Sequence, residues 1–280
     1  GKFKSVYFFM KIVDSHPHIY SENRVKFPTI PNPWEPGEQA SALDLRRRML
    51  DSGVSKAVFI QTGTFYGFDN SYVIESSNMH KNWATGVITL NPDDEDHLEV
   101  LEQSVNKSNI SGLRGIKDST GRLSSPNVYR LWEKALHLGI VVNCMVMDDL
   151  ERVPEIGKIA TDLSPIRIVI DHCFMLNTSN KTAETLRALE YLAGHQNIYA
   201  KLTSGTHGSS RVYPHSDMHD PIREVITMFG TNRCVWGSNF PNSLWSKGTT
   251  YLQNLNLFTE ELGLSVSEKE DILSRVPLSL

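Results

Sequence analysis

The chain has 280 residues, of which 40% are hydrophobic and 21% charged, with a formal net charge of -4. Those are ordinary globular proportions that allow a sizeable core, and the acidic balance excludes a dedicated nucleic-acid or membrane-surface binder, which needs a basic face. Its cysteines, Cys144, Cys173 and Cys234, are too few and too widely spaced for a disulfide framework, so a reducing cytoplasm is the expected compartment.

In chain order, the apolar stretch Val6–Met10 is too short for a signal h-region and lacks a small-residue cleavage site. Nothing approaches the ~18 apolar residues of a membrane span. Met10 is a candidate start that would leave residues 1–9 as an N-terminal appendage. Short β-branched runs then read as strands at 11–14, 56–61, 85–90, 112–117, 140–146, 166–171, 197–202 and 233–237. Helix-period segments separate them at 38–51, 70–82, 95–106, 127–138, 148–162, 181–195, 219–229 and 247–262, and a last helix is expected at 267–275. The cluster Arg46, Arg47 and Arg48 falls on the solvated side of the first of these helices.

Strands alternating with helices of this length predict βαβ units and a parallel sheet. Eight units in about 250 residues fit a closed (β/α)₈ TIM barrel better than an open doubly wound sheet. No glycine-rich dinucleotide fingerprint follows the first strand. With no linker or composition shift, one barrel domain over residues 1–280 is expected. Two connections are long: 20–37, carrying Pro28, Pro31, Pro33 and Pro36, and 203–220, carrying Gly205, Gly208 and Pro214. Both follow strands, where such barrels build the rim that covers the substrate.

The chemistry-bearing residues sit at strand ends. The first strand runs into Val13-Asp14-Ser15-His16-Pro17-His18, and two histidines at i and i+2 on extended chain face the same way. The sixth ends in Val169-Ile170-Asp171-His172. Three strand-end histidines converge on one mouth of a barrel, where imidazole serves as a ligand for zinc or another divalent metal, an acid, a base or a donor. Arg114 and Lys201, on the fourth and seventh strands, are candidate contacts for a carbonyl or one carboxylate, with a structural ion pair as the alternative. Phe65, Tyr66, Phe174 and Met175 are candidate pocket walls, with core packing as the competing role. His207, Tyr213, His215, Asp217 and His219 form an acid–base-rich loop after the seventh strand, and His215 and Asp217 are its candidate bases.

The motifs 13–18 and Ile170-Asp171-His172, together with Trp236-Gly237-Ser238-Asn239-Phe240-Pro241, resemble the amidohydrolase-related family. The branch most resembled is the lactonases, among them the 2-pyrone-4,6-dicarboxylate and sugar-lactone enzymes. Gln61 with Gly67-Phe68-Asp69-Asn70, Gly112-Leu113-Arg114-Gly115 and Lys201-Leu202-Thr203 extend the resemblance over nearly the whole chain. It implies a catalytic set of His16, His18, His172 and Asn239, with the three histidines as ligands if a metal, zinc or manganese, is bound. Asn239 stands where the family usually has an aspartate that binds metal or activates water. An amide is neither a base near neutral pH nor a good transition-metal ligand. Within the resemblance, the loss of the aspartate favours a metal-independent enzyme, as some lactonases of this branch are, with a divalent metal left open; the alternative is an Asn introduced to trap substrate in an inactivated enzyme. The pyrone-dicarboxylate enzymes carry an arginine shortly after the sixth-strand histidine; here the segment is Cys173-Phe174-Met175-Leu176. A small-molecule lactone that is not a dicarboxylate is the expected substrate, opened by water attack at the carbonyl. A metal-dependent decarboxylase on the same scaffold and a non-catalytic binding barrel are the alternatives. Oligomeric state is not encoded in these features.

Overall fold

The computed structural model describes residues 10–280; the expected appendage at 1–9 lies outside them. Parallel strands β1 (Ile12–Asp14), β2 (Val54–Ile60), β3 (Ala84–Ile88), β4 (Ile110–Gly115), β5 (Val141–Cys144), β6 (Ile168–Ile170), β7 (Ile198–Leu202) and β8 (Cys234–Trp236) pair in chain order. Between them run α1 (Ala42–Ser52), α2 (Ser71–Met79), α3 (His97–Lys107), α4 (Pro126–Leu138), α5 (Val153–Asp162), α6 (Thr182–Ala193) and α7 (Ser216–Phe229). Helix α8 (Tyr251–Asn256) follows β8. This is the expected (β/α)₈ barrel, with strand ends shifted by about two residues at most.

The seam between β8 and β1 is closed by the residues just beyond the strands. Ser15 N–H donates to the Trp236 carbonyl at 3.1 Å, Asn239 N–H to His16 at 2.9 Å and His18 N–H to Phe240 at 2.8 Å. Buried Asp14 clasps the same seam. One carboxylate oxygen accepts from the backbone N–H groups of His16 and Ser238, at 3.1 and 2.9 Å, and the other from the Tyr251 hydroxyl at 2.9 Å. Burial pushes the Asp14 pKa up, and these hydrogen bonds oppose that rise.

Helix boundaries follow local chemistry. Ser41 and Asp44 form a reciprocal capping box, so α1 begins at Ala42 rather than at Glu38, and Gly53 ends it in the left-handed conformation at φ 77°. The segment expected as one helix over 247–262 divides. A Thr250–Gln253 capping box delays its start to Tyr251, and the turn Leu257–Glu261 widens to π geometry. The final helix begins at Val266 behind a Ser265–Glu268 box.

The side-chain period of two then stratifies the barrel interior. Val141, Val169 and Val235 pack with Val276 and against Tyr199 and Leu280 in an apolar layer toward the N-terminal ends of the strands. Two positions further along the same faces come Asn143, Asp171, Gly237 and Lys201. The polar layer therefore lies on the C-terminal side of the apolar one, immediately beneath the strand-end histidines. The larger apolar core, including Phe59, Leu45, Trp132 and Ile156, fills the space between strands and helices. Among the described residues no helix is long and apolar enough to cross a membrane.

Candidate functional site

His16 and His18 lie just past β1, fixed by the seam hydrogen bonds. His16 is fully buried and its ring centroid is 5.0 Å from that of His18 and 4.5 Å from that of His172, all edge-on. The structure thus brings together the three histidines read from the sequence. It adds His207, from the short helix Ser204–His207, whose ring lies 5.6 Å from His172. The sequence points to His215 rather than His207, because nothing in a loop's composition tells which histidine turns inward.

His172 opens a run of four consecutive residues with left-handed backbone, His172, Cys173, Phe174 and Met175, at φ 59°, 47°, 56° and 59°. Each costs an L-residue about 1–2 kcal/mol, and burial over-determines the turn. The His172 Nδ1 sits 2.6 Å from the Thr203 hydroxyl, the Cys173 thiol approaches the Lys201 carbonyl at 3.4 Å, and Phe174 is buried. Gly237 permits the approach of β8 to this assembly. A Cβ there would lie 2.5 Å from the His16 Cβ and 3.0 Å from the Thr203 Cγ2.

Beneath the histidines, Arg114, Asp171, Lys201 and Asn143 form one buried network. Lys201 Nζ is 2.7 Å from Asn143 Oδ1, 3.0 Å from Asp171 Oδ1 and 3.3 Å from His16 Nδ1. Arg114 Nε reaches the other Asp171 oxygen at 3.4 Å. Burial lowers the pKa of both cations, and Asp171 opposes that fall in each. Both are therefore ion-pair members, and Lys201 also touches the histidine cluster. Asp171 has no role assigned by the sequence motif; its alternation with Val169 is the signal that it points inward.

The histidines are neutral at ordinary pH. Burial, with Arg114 contributing, pushes His18 down to about 3, and burial brings His207 down to about 4. Burial, the cations and the neighbouring histidines also hold His16 and His172 well below the usual range. The Nε2 atoms of His16 and His207 are buried with no partner among the described residues. Unpaired buried polar atoms in a native site are costly, and they mark where a ligand would pair.

The remaining predicted site residues sit as follows. Phe65, Tyr66 and Phe174 are buried members of the main core. Phe65 packs edge-on against Tyr20 at 4.8 Å, and the Tyr20 hydroxyl accepts from Trp245 Nε1 at 3.3 Å. Trp245 in turn lies 5.8 Å from the His18 ring and 5.7 Å from exposed Trp34. No sequence signal singled out either tryptophan, because their meeting depends on the chain's return after β8. Asn239 has left-handed backbone at φ 56°, a conformation Asn tolerates well. Its N–H holds the His16 carbonyl. His215 has both ring nitrogens engaged, Nδ1 with the Arg211 carbonyl at 2.9 Å and Nε2 with the Thr249 hydroxyl at 3.1 Å. Asp217 accepts from Ser210 N–H, Thr178 and Ser209, bonds that outweigh burial and hold its pKa at about 2. This pair ties down a loop, and its lone pairs are spent on that task rather than held ready for a proton from water.

A curated relative, L-fucono-1,5-lactonase of Burkholderia ambifaria, is 32% identical over 93 residues. The match covers 32% of this chain and 32% of that protein, so it spans about a third of each. Two solved structures share the fold. One, assigned as a 2-pyrone-4,6-dicarboxylic acid hydrolase of Pseudomonas putida, has 19% identity and a TM-score of 0.79, covering 96% of this chain and 97% of its own. The other, an amidohydrolase of Burkholderia multivorans with bound zinc, has 16% identity and a TM-score of 0.77, covering 96% and 98%.

In this chain His16, His18 and His172 would supply nitrogen to such an ion. They do not fit it as arranged. Among the described residues no three His, Cys, Asp or Glu side chains are placed to hold a metal. The lysine ammonium beside His16 Nδ1 also opposes the tautomer that would free Nε2 as a ligand. The family profile described as Amidohydrolase matches residues 13–277, and with the barrel and its strand-end histidines in place, the chain belongs to the amidohydrolase family.

Proposed function

We propose that the chain is a hydrolase that opens a cyclic ester, with a sugar-type lactone as substrate. The observation that carries this reading is a neutral, desolvated histidine cluster whose His16 and His207 Nε2 atoms are buried without protein partners at the strand ends. Neutral imidazoles in a dry site suit the polarisation of a carbonyl, where charge appears only as the reaction proceeds. The partial match to a fuconolactonase supports the ester class.

Arg114 and Lys201 are both committed to Asp171, so neither is free as the bidentate clamp that a dicarboxylate needs. Trp245, beside His18, and Trp34, packed against Trp245, instead offer aromatic surface suited to the apolar face of a sugar ring. In the proposed reaction, water adds to the lactone carbonyl, the oxyanion is stabilised from the histidine cluster, and the ring C–O bond breaks. The test is a panel of sugar lactones and a pyrone dicarboxylate, followed by acid release, with His172→Ala as control. Opening of a sugar lactone that His172→Ala slows at least about a hundredfold supports the proposal. No opening of any cyclic ester, or unchanged turnover in His172→Ala, refutes it.

A further inference from the structure

The H-x-H pair invites a reading as two equivalent imidazoles, yet their surroundings force different proton positions. His18 Nδ1 lies 2.7 Å from the Ile60 carbonyl. A carbonyl oxygen only accepts, so Nδ1 carries the proton and Nε2 bears the lone pair. His16 Nδ1 lies 3.3 Å from the Lys201 ammonium, which only donates. The anionic neighbour of that nitrogen, Asp171 Oδ1, is 3.9 Å away, beyond hydrogen-bond reach. Nδ1 of His16 therefore accepts, and its proton sits on Nε2, the buried atom that has no protein partner.

We propose that His16 and His18 are locked as opposite tautomers, with His16 the oxyanion donor, His18 the general base and Lys201 the positioning residue that sets the difference. Their catalytic roles rest on the hydrolytic reading above, whereas the tautomers do not. The two ring centroids stand 5.0 Å apart, and in the proposed step each Nε2 serves a different atom. His18 Nε2 takes a proton from water as the water oxygen bonds to the carbonyl carbon. The carbonyl π pair moves onto oxygen, which accepts from His16 Nε2–H. On collapse the C=O bond re-forms, the ring C–O bond breaks, and the departing alkoxide takes the proton held by His18. This arrangement supplies a base without Asn239, His215 or Asp217. It also accounts for the poor fit to a metal, because ligation through both Nε2 atoms would turn an N–H of His16 against the Lys201 ammonium.

The test is ¹⁵N NMR of the histidine-labelled full chain, which reports directly which ring nitrogen carries hydrogen. The expected result is Nε2–H for His16 and Nδ1–H for His18. The same tautomer in both rings would overturn the proposal, and this measurement needs neither a variant nor a substrate. In Lys201→Met the His16 signal should shift toward the other tautomer while His18 stays unchanged; an unmoved His16 would remove Lys201 from the account. With a lactone in hand, His16→Gln keeps an N–H donor and should lose about tenfold in turnover, whereas His18→Gln has no basic nitrogen and should lose at least about a hundredfold. Equal losses would contradict the division of roles. Opposite tautomers in a chain that opens no cyclic ester would refute the functional proposal alone.

Discussion

Gly237→Ala is the smallest change that should reach the whole cluster. The added methyl would sit 2.5 Å from the His16 Cβ, 3.1 Å from the His16 backbone nitrogen and 3.0 Å from the Thr203 Cγ2. Carbon atoms in contact prefer about 3.5–4.0 Å, so the first pair must separate by roughly 1 Å. Neither neighbour has room to yield. His16 is fully buried and its carbonyl is hydrogen-bonded across the seam, while Thr203 is buried and holds His172. One methyl therefore pushes on His16 directly and on His172 through Thr203. Overpacking of this kind costs about 1–3 kcal/mol of stability, and a misplacement of about 1 Å at a reacting centre can cost ~100-fold in rate. Denaturant unfolding and lactone turnover measure the two effects separately. Unfolding at the wild-type midpoint together with wild-type turnover would show that the close contact of β8 with His16 does not position the site.

Four further outcomes rest on the same geometry. Because burial holds His18 at about 3 and His207 at about 4, the unfolded chain takes up protons first as pH falls below the ordinary histidine value of about 6.5. Stability should be complete above that value and drain away between about pH 6.5 and 3, with His18 alone accounting for a loss on the order of 5 kcal/mol. The rate, for the same reason, should show no inflection near pH 6.5, and a histidine-like inflection there would contradict the burial argument. Trp245→Ala should raise KM for a sugar lactone several-fold with a smaller change in kcat, since its ring flanks His18 without joining the hydrogen-bonded network beneath it; a loss confined to kcat would argue against a binding face. Arg114→Met leaves Asp171 with Lys201 as its remaining cation, and should cost about 3 kcal/mol in chemical denaturation. An unchanged unfolding midpoint would show that the ion pair is dispensable.

Much of this architecture was legible in the sequence because the barrel repeats one simple pattern. Runs such as Ile166–Asp171 and Asn197–Leu202 carry both the apolar content of a buried parallel strand and the period that turns Asp171 and Lys201 inward. The histidine trio was legible because strand ends are topologically forced to one mouth. Loop chemistry was less legible. His215 and Asp217 look like an acid–base pair in sequence, yet a segment without regular backbone pairing needs side chains to satisfy it, and these two serve that need. His207 and Trp245 belong near the cluster for reasons of chain path that no local pattern contains. The opposite tautomers of His16 and His18 depend on Lys201 and Ile60, which are distant in sequence and meet them only in the closed barrel.

The most direct test of the central claim is the hydrolysis of a purified sugar lactone by the wild-type chain and by His172→Ala, each confirmed as folded by its circular dichroism. The account predicts ring opening by the wild type and a loss of at least about a hundredfold in the variant. A folded wild type that opens no lactone, or a variant that opens one equally fast, would contradict it.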